Sequence, residues 1–306
     1  MSDSPTSSVS PKEAARLMKL ATYASTSVAA LLITTKLIAW LWTDSVSLLA
    51  ALLDSCLDVA ASLVTLLAVR HSLMPADDDH RFGHGKAESL AALAQSMLII
   101  GSVIFLILEA SSRFLHPQHI DSEGAGIGVA VMILSIIATL ALITFQRHVV
   151  KKSHSSAIAA DAMHYKTDLY MNVGVIAALL LTAFGWQGFD PMFAIGIGIF
   201  ILYSTGEIIQ QAMGELMDQE LTEEEREPIR DIVAQHSRAL GMHDLRTRKS
   251  GTTLFIQMHP ELDDDLPLIE AHHIADEIEA SLLNLYPNAE IIIHQDPIGT
   301  VHTSEK

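Results

Sequence analysis

The stretch SVSLLAALLDSCLDVAASLVTLLAV, residues 45–69, is long and apolar enough to cross a bilayer, yet it carries Asp54 and Asp58 at its centre. An ionised aspartate at mid-membrane costs roughly 2.5–3.5 kcal/mol on insertion scales, so two of them require a compensating partner. Four residues apart, they stack one turn above each other on one helix face, and Ser47, Ser62 and Thr65 fall on nearly the same stripe. The stretch ADAMHYKTDLYMN repeats the pattern, with Asp161, His164, Asp168 and Asn172 at helical spacing. Two polar seams in a membrane are expected to face each other. Three carboxylates and an imidazole then converge near the midplane, where only a cation or protons relieve their repulsion.

Carboxylate oxygens with one imidazole nitrogen in a four-ligand set suit Zn²⁺ and also accommodate Fe²⁺ or Mn²⁺. Ca²⁺ and Mg²⁺ want six or more oxygens, and His164 argues against them. A polar network that only holds helices together would need fewer ionisable groups. The chain has neither a GxxxxGK[ST] loop nor an HExxH, so neither a nucleotide engine nor zinc-protease chemistry has a motif. Gly124, Gly126 and Gly128 imitate half of a dinucleotide loop but follow no strand, and read better as a helix start. A midplane ion site without a nucleotide engine indicates a secondary transporter, with the proton gradient as its source of energy. The same carboxylates and imidazole can bind metal or protons.

Two further groups of ligand-type residues lie outside the spans. The loop MPADDDHRFGHGKAE holds Asp77, His80 and His84 within eight residues, enough to close on one cation with an open fourth position. Towards the C-terminus, His243, His259, His272, His294 and Asp296 are spread over several elements, and they meet only if the fold gathers them. His294 and Asp296, two apart, share one side of a strand. Of the 15 histidines, His71, His116, His119, His148, His154, His236, His273 and His302 read as interfacial or solvated. Lys36 and Glu109, near the ends of their spans, read as snorkelling or paired.

Positioning these groups requires a membrane scaffold and a soluble one. Half of the 306 residues are hydrophobic, but 13 of the 17 net negative charges lie in residues 214–306. The acidity argues against nucleic acid as a partner and suits cations. The single cysteine, Cys56, rules out an internal disulfide and a CxxC metal site. Six segments qualify as transmembrane helices, at about residues 17–42, 46–72, 87–114, 126–146, 157–185 and 191–213. The N-terminal end and the second and fourth loops hold nine Lys/Arg, against Arg113 alone in the others. That asymmetry predicts a multi-pass protein with both termini in the cytoplasm. Residues 1–16 read as a disordered cytoplasmic N-terminus and 298–306 as a tail.

Residues 214–297 change character. LTEEEREPIRDIVAQHSRAL opens at Thr222 as N-cap with acids in its first turn. DLRTRKSG and TTLFIQMHPEL alternate like strands about a Ser250–Gly251 turn, LPLIEAHHIADEIEASLLNLY is helical, and EIIIHQ is a final strand. The expected architecture is a six-helix, all-α membrane domain over 17–213 followed by a cytoplasmic α+β domain of order α-β-β-α-β.

On ALLDSCLD, PADDDHRFGHGKAESLAALAQS, ADAMHYKTD, HDLRTRKSG and IIIHQDP, the chain resembles the cation diffusion facilitator family, most closely its bacterial zinc and iron efflux branch. The likeness runs from about residue 46 to 297. It implies a homodimeric metal/proton antiporter of the bacterial inner membrane with a metallochaperone-like cytoplasmic domain. Its cargo would be Zn²⁺, with Fe²⁺ or Cd²⁺ also possible. It further implies that Asp54, Asp58, His164 and Asp168 form the transport site and that Asp77, His80 and His84 form a loop site. In the cytoplasmic domain it implies that His243, His259, His272, His294 and Asp296 hold two zinc ions at the dimer contact, Asp296 bridging them. Asp79 and Arg81 differ from the family around the loop ligands. Two other classes compete with the antiporter: a passive metal-ion channel lined by weak sites, and a membrane-anchored metal sensor that leaves Asp54 and Asp58 unexplained.

Overall fold

The computed structural model describes residues 10–43, 46–115, 125–183 and 189–298, and the chain divides into two compact units, Met1–Met213 and Gly214–Lys306. The first unit is built from six helices: α1 (Pro11–Thr43), α2 (Val46–Ser72), α3 (Ala87–Leu115), α4 (Ala125–Ser153), α5 (Ser156–Ala183) and α6 (Phe189–Leu216). The assigned disordered N-terminus is corrected for residues 11–16, which form the first turns of α1. Pro11 occupies the first helical position, where its missing N–H is no loss, and the Glu13 amide donates to Ser10 Oγ at 3.3 Å. Residues 1–9 lie outside the described set, as do 299–306, which hold all but the first residue of the assigned tail.

Four of these helices contain stretches long and apolar enough to cross a membrane: Pro11–Trp42, Ala51–Ser72, Ala87–Leu108 and Ala130–Ser153. In α5 the described stretch carries Asp161, Lys166 and Asp168, and parts of α5 and α6 have side chains outside the described set. The packing of the unit is inverted relative to a water-soluble protein. Leu53, Leu57, Leu67, Phe105 and Ile137 are exposed, whereas Ser25, Ser62, Thr65, Gln95, Ser96 and Asp161 are buried. Hydrocarbon rewards apolar exteriors and leaves polar groups to satisfy one another inside. Small residues such as Ala21, Ser25, Ala61 and Ser62 allow close helix contact, and α2, α3 and α5 pack against one another.

The second unit contains α7 (Glu223–Gln235), β1 (Gly241–Ser250), β2 (Thr253–Leu262), α8 (Leu268–Leu285), β3 (Ala289–Ile293) and the two-residue β4 (Asp296–Pro297). At the start of α7 the Thr222 amide donates to Glu225 Oε2 at 3.1 Å, one arm of a capping box. β1 and β2 pair antiparallel about Gly251, whose positive φ of 58° suits the reversal. β3 and β4 both add to β2 in parallel. Ile229 and Val233 of α7 and Ile274, Ile278 and Leu282 of α8 share one core with Leu254, Ile256 and Met258 of β2. Both helices therefore cover the same face of the sheet, and the C-terminal unit is an α/β domain.

Candidate metal centres

The packing of α2 against α5 brings Asp58, His164 and Asp168 together, with one ligand-type atom from each within 4.8 Å of the others. Asp58 and His164 are buried, and His164 Nε2 lies 3.1 Å from Asp58 Oδ1. Asp54 is exposed on α2 and does not join this cluster. Beside it, Lys36 of α1 donates to Ser55 Oγ at 2.5 Å, so its ammonium lies against the helix that carries both aspartates. Lys36 is thus paired, as its place near a span end suggests. Glu109 and Ser47 have side chains outside the described set.

Asp161 does not join the cluster of Asp58, His164 and Asp168. It is buried and accepts from Gln95 Nε2 at 3.2 Å and from Gln146 Nε2 at 2.6 Å. Gln95 also donates to the Ala61 carbonyl at 3.2 Å and to Thr65 Oγ1. Tyr165, next to His164, shares a hydrogen bond with Ser62 Oγ at 2.8 Å, and Ser62 shares one with Ser25 Oγ at 3.0 Å. This network ties α1 to α5 together around the cluster, so that His164 and Asp168 are carried on a braced helix. Gln95 and Gln146 were not singled out from the sequence, although an amide in a span is itself a sign of a buried partner.

The loop between α2 and α3 folds back on itself. The Gly83 amide donates to the His80 carbonyl at 2.9 Å, and Gly83 takes a φ of 75°, open to glycine without strain. The turn brings His84 over Asp77 and His80: Asp77 Oδ2 is 3.3 Å from His84 Nε2, and Asp77 Oδ1 is 3.2 Å from His80 Nδ1. The His80 backbone amide, donating to Asp77 Oδ1 at 2.6 Å, holds the Asp77 carboxyl below the usual carboxylate range. His71, read from the sequence as interfacial or solvated, is exposed and also meets the His84 ring edge to face with centroids 4.5 Å apart. The α2 C-terminus and the loop are 13 residues apart in sequence at this contact, so spacing alone did not reveal it.

In the second unit the strand register gathers the ligands. His243 on β1 is directly opposite His259 on β2, and Asp296 on β4 is opposite Glu261 on β2. Asp296 is approached by His259 Nδ1 at 2.9 Å, His243 Nε2 at 3.1 Å and His294 Nε2 at 3.1 Å. The hydrogen bond from His259, with the neighbouring imidazoles, lowers the Asp296 carboxyl, which is therefore ionised at neutral pH. His272 is not brought into this group; it is exposed on α8 and lies 3.7 Å from Asp276 Oδ2. Two neighbours escaped the sequence reading. Glu261 Oε1 is 3.1 Å from His243 Nδ1, and Asp244 Oδ2 is 3.8 Å from His259 Nε2. Glu261 was detectable as the residue two beyond His259 on a strand. Asp244 was not, because it sits at a bulge between His243 and Arg246 with a φ of 47°.

The donor chemistry of the two extramembrane groups, imidazoles around one ionised carboxylate, fits a zinc-class ion.

Comparison with known proteins identifies the family. The family model described as the cation efflux transmembrane domain matches residues 22–217, and that of the cation efflux protein cytoplasmic domain matches residues 221–298. The chain is 49% identical over 291 residues to the cation-efflux pump FieF of Klebsiella pneumoniae, covering 95% of this chain and 96% of that protein. It is 50% identical over 286 residues to the FieF pump of Salmonella paratyphi A, covering 94% and 95%. Among solved structures, one described as CzrB in its Zn form is 37% identical, covering 28% of this chain and 98% of that one, with a TM-score of 0.27. The chain belongs to the cation efflux family, the cation diffusion facilitators, and is a multi-pass membrane transporter rather than an enzyme.

Proposed function

We propose that the protein is a proton-coupled antiporter that exports divalent metal cations, Zn²⁺ foremost and Fe²⁺ or Cd²⁺ as further cargo. It would act as a homodimer in the bacterial inner membrane, with six spans and both termini in the cytoplasm. The observation that carries this reading is the Asp58–His164–Asp168 cluster, with Asp58 and His164 buried and Asp168 half-buried, on two packed helices within the apolar unit. Asp54, one turn along α2 from Asp58, supplies the fourth ligand when its side chain turns inward. A divalent ion offsets the carboxylate charge there, and four protein ligands strip it of water, which favours selection.

Coupling follows from the same atoms. Metal binding requires deprotonated carboxylates and a neutral imidazole, so loading the site releases protons. Where protons are scarce, as on the cytoplasmic side, the site takes the ion. Where they are abundant, protons displace the ion from His164 and the aspartates, and the proton-loaded site returns. Zinc uptake by purified protein in vesicles tests this. The expected result is a saturable flux driven by an imposed pH step, with counterflow of protons. A flux that neither saturates nor responds to pH indicates a channel instead.

Selectivity gives a second expectation. His164→Asp replaces the only imidazole by a fourth carboxylate and hardens the donor set. The ratio of Zn²⁺ to Mn²⁺ transport should fall by at least the roughly tenfold in metal affinity that losing even a partner of a metal ligand costs. An unchanged ratio removes His164 from the selectivity ligands.

In the second unit, His243, His259, His294 and Asp296 of one chain form a zinc-binding face, and His272 is supplied to it across the dimer contact. Zinc there holds two acidic domains together and lies outside the permeation path.

A further inference from the structure

His71 stands on the last turn of α2 and belongs to none of the three ligand groups assigned from the sequence. Its ring meets that of His84 edge to face, at 69° with centroids 4.5 Å apart, and the His84 ring is also 4.5 Å from that of His80. His84 is thus flanked by two imidazoles and by the Asp77 carboxylate, 3.3 Å from its Nε2. The His84 side chain is 3% exposed, and its Nδ1 is buried without a hydrogen-bond partner among the described residues. An unpaired buried nitrogen is unfavourable. A divalent cation bound at Nδ1 gives that buried nitrogen a partner by taking its lone pair.

We propose that His71 is a fourth protein ligand of the loop site, closing Asp77, His80 and His84 into a three-imidazole, one-carboxylate tetrahedron for a zinc-class cation. This rests on the reading of the loop as a metal site. Two imidazole nitrogens on one tetrahedral zinc lie about 3.3 Å apart at the usual zinc–nitrogen distances. Rings already 4.5 Å apart reach that separation by side-chain rotation, and His71 is exposed and has room to turn. The donor set is richer in nitrogen than that of the transport site, so it should prefer Zn²⁺ over Mn²⁺ or Fe²⁺ more strongly. With four protein ligands it has no open position, and its effect is to fasten the end of α2 to the start of α3.

The test uses the full-length protein in detergent with Zn²⁺ alone as the probe. Carbethoxylation of each histidine is read by peptide mass spectrometry as free zinc rises. His71 and His80 are both exposed and modifiable, and exposed His148 serves as the reference. The expected result is protection of His71 and His80 with one common midpoint. His71→Phe keeps a ring against His84 but removes the nitrogens, and should raise the zinc midpoint for His80 protection at least about tenfold. Protection of His80 while His71 reacts at its zinc-free rate overturns the proposal. So does an unchanged His80 midpoint in His71→Phe, which would make His71 a packed ring only. If zinc protects neither, the loop is not a metal site and the proposal falls with its premise.

Discussion

Replacing Asp58 with Ala or Asn is expected to reduce zinc uptake by vesicles to the level of protein-free vesicles while leaving an inserted, folded transporter. Asp58 is buried, its Oδ1 is 3.1 Å from His164 Nε2, and it shares one cluster with Asp168. Losing one of four ligands leaves an incomplete tetrahedron and removes one of the charges that pay for dehydrating the ion. Ala also strands the His164 imidazole in a buried position, so reduced folding could mimic lost transport. Asn answers that objection: its amide keeps the shape and a hydrogen bond to His164 but no charge. His164→Ala should be equally inactive. Full transport by Asp58→Asn in a correctly folded protein would sink the assignment of the transport site.

The second large effect concerns assembly. Fragment 214–306, which has its own core of α7, α8 and β2, should dimerise far more tightly with Zn²⁺ than with chelator. At neutral pH it carries a net charge of −13, so two copies repel. His243, His259 and Asp296 lie together on the sheet, His294 joins them from the link between β3 and β4, and Glu261 and Asp244 flank them. Binding that favours the paired state stabilises it by about 2.7 kcal/mol when free metal is a hundredfold above its dissociation constant. Sedimentation of the fragment with and without zinc measures the difference. Replacing His259 and His294 by Ala should erase it, yet lower transport by the full-length protein only in part. Equal dimerisation in zinc and in chelator would show that these histidines are ordinary surface residues.

The sequence by itself determined the parts of this protein that depend on local period and on the cost of charge in hydrocarbon. Asp54 and Asp58 at i, i+4, and His164 and Asp168 at the same spacing, identify two polar helix faces before any packing is known. The strand pair about Gly251 and the helix beginning at Thr222 were legible because turns and caps are written in a few adjacent residues. Tertiary structure alone decided which of those groups meet. It brought Asp58, not Asp54, to His164, and it braced α5 through Gln95, Gln146 and Tyr165, residues distant in the chain. It set His71 against His84 by folding the loop back over the end of α2. It added Glu261 to the histidine cluster through strand register, added Asp244 through a bulge, and left His272 on an outer helix face. Spacing along one element fixes which side chains share its face. Only packing between elements, set by the apolar and small residues around them, fixes what that face touches.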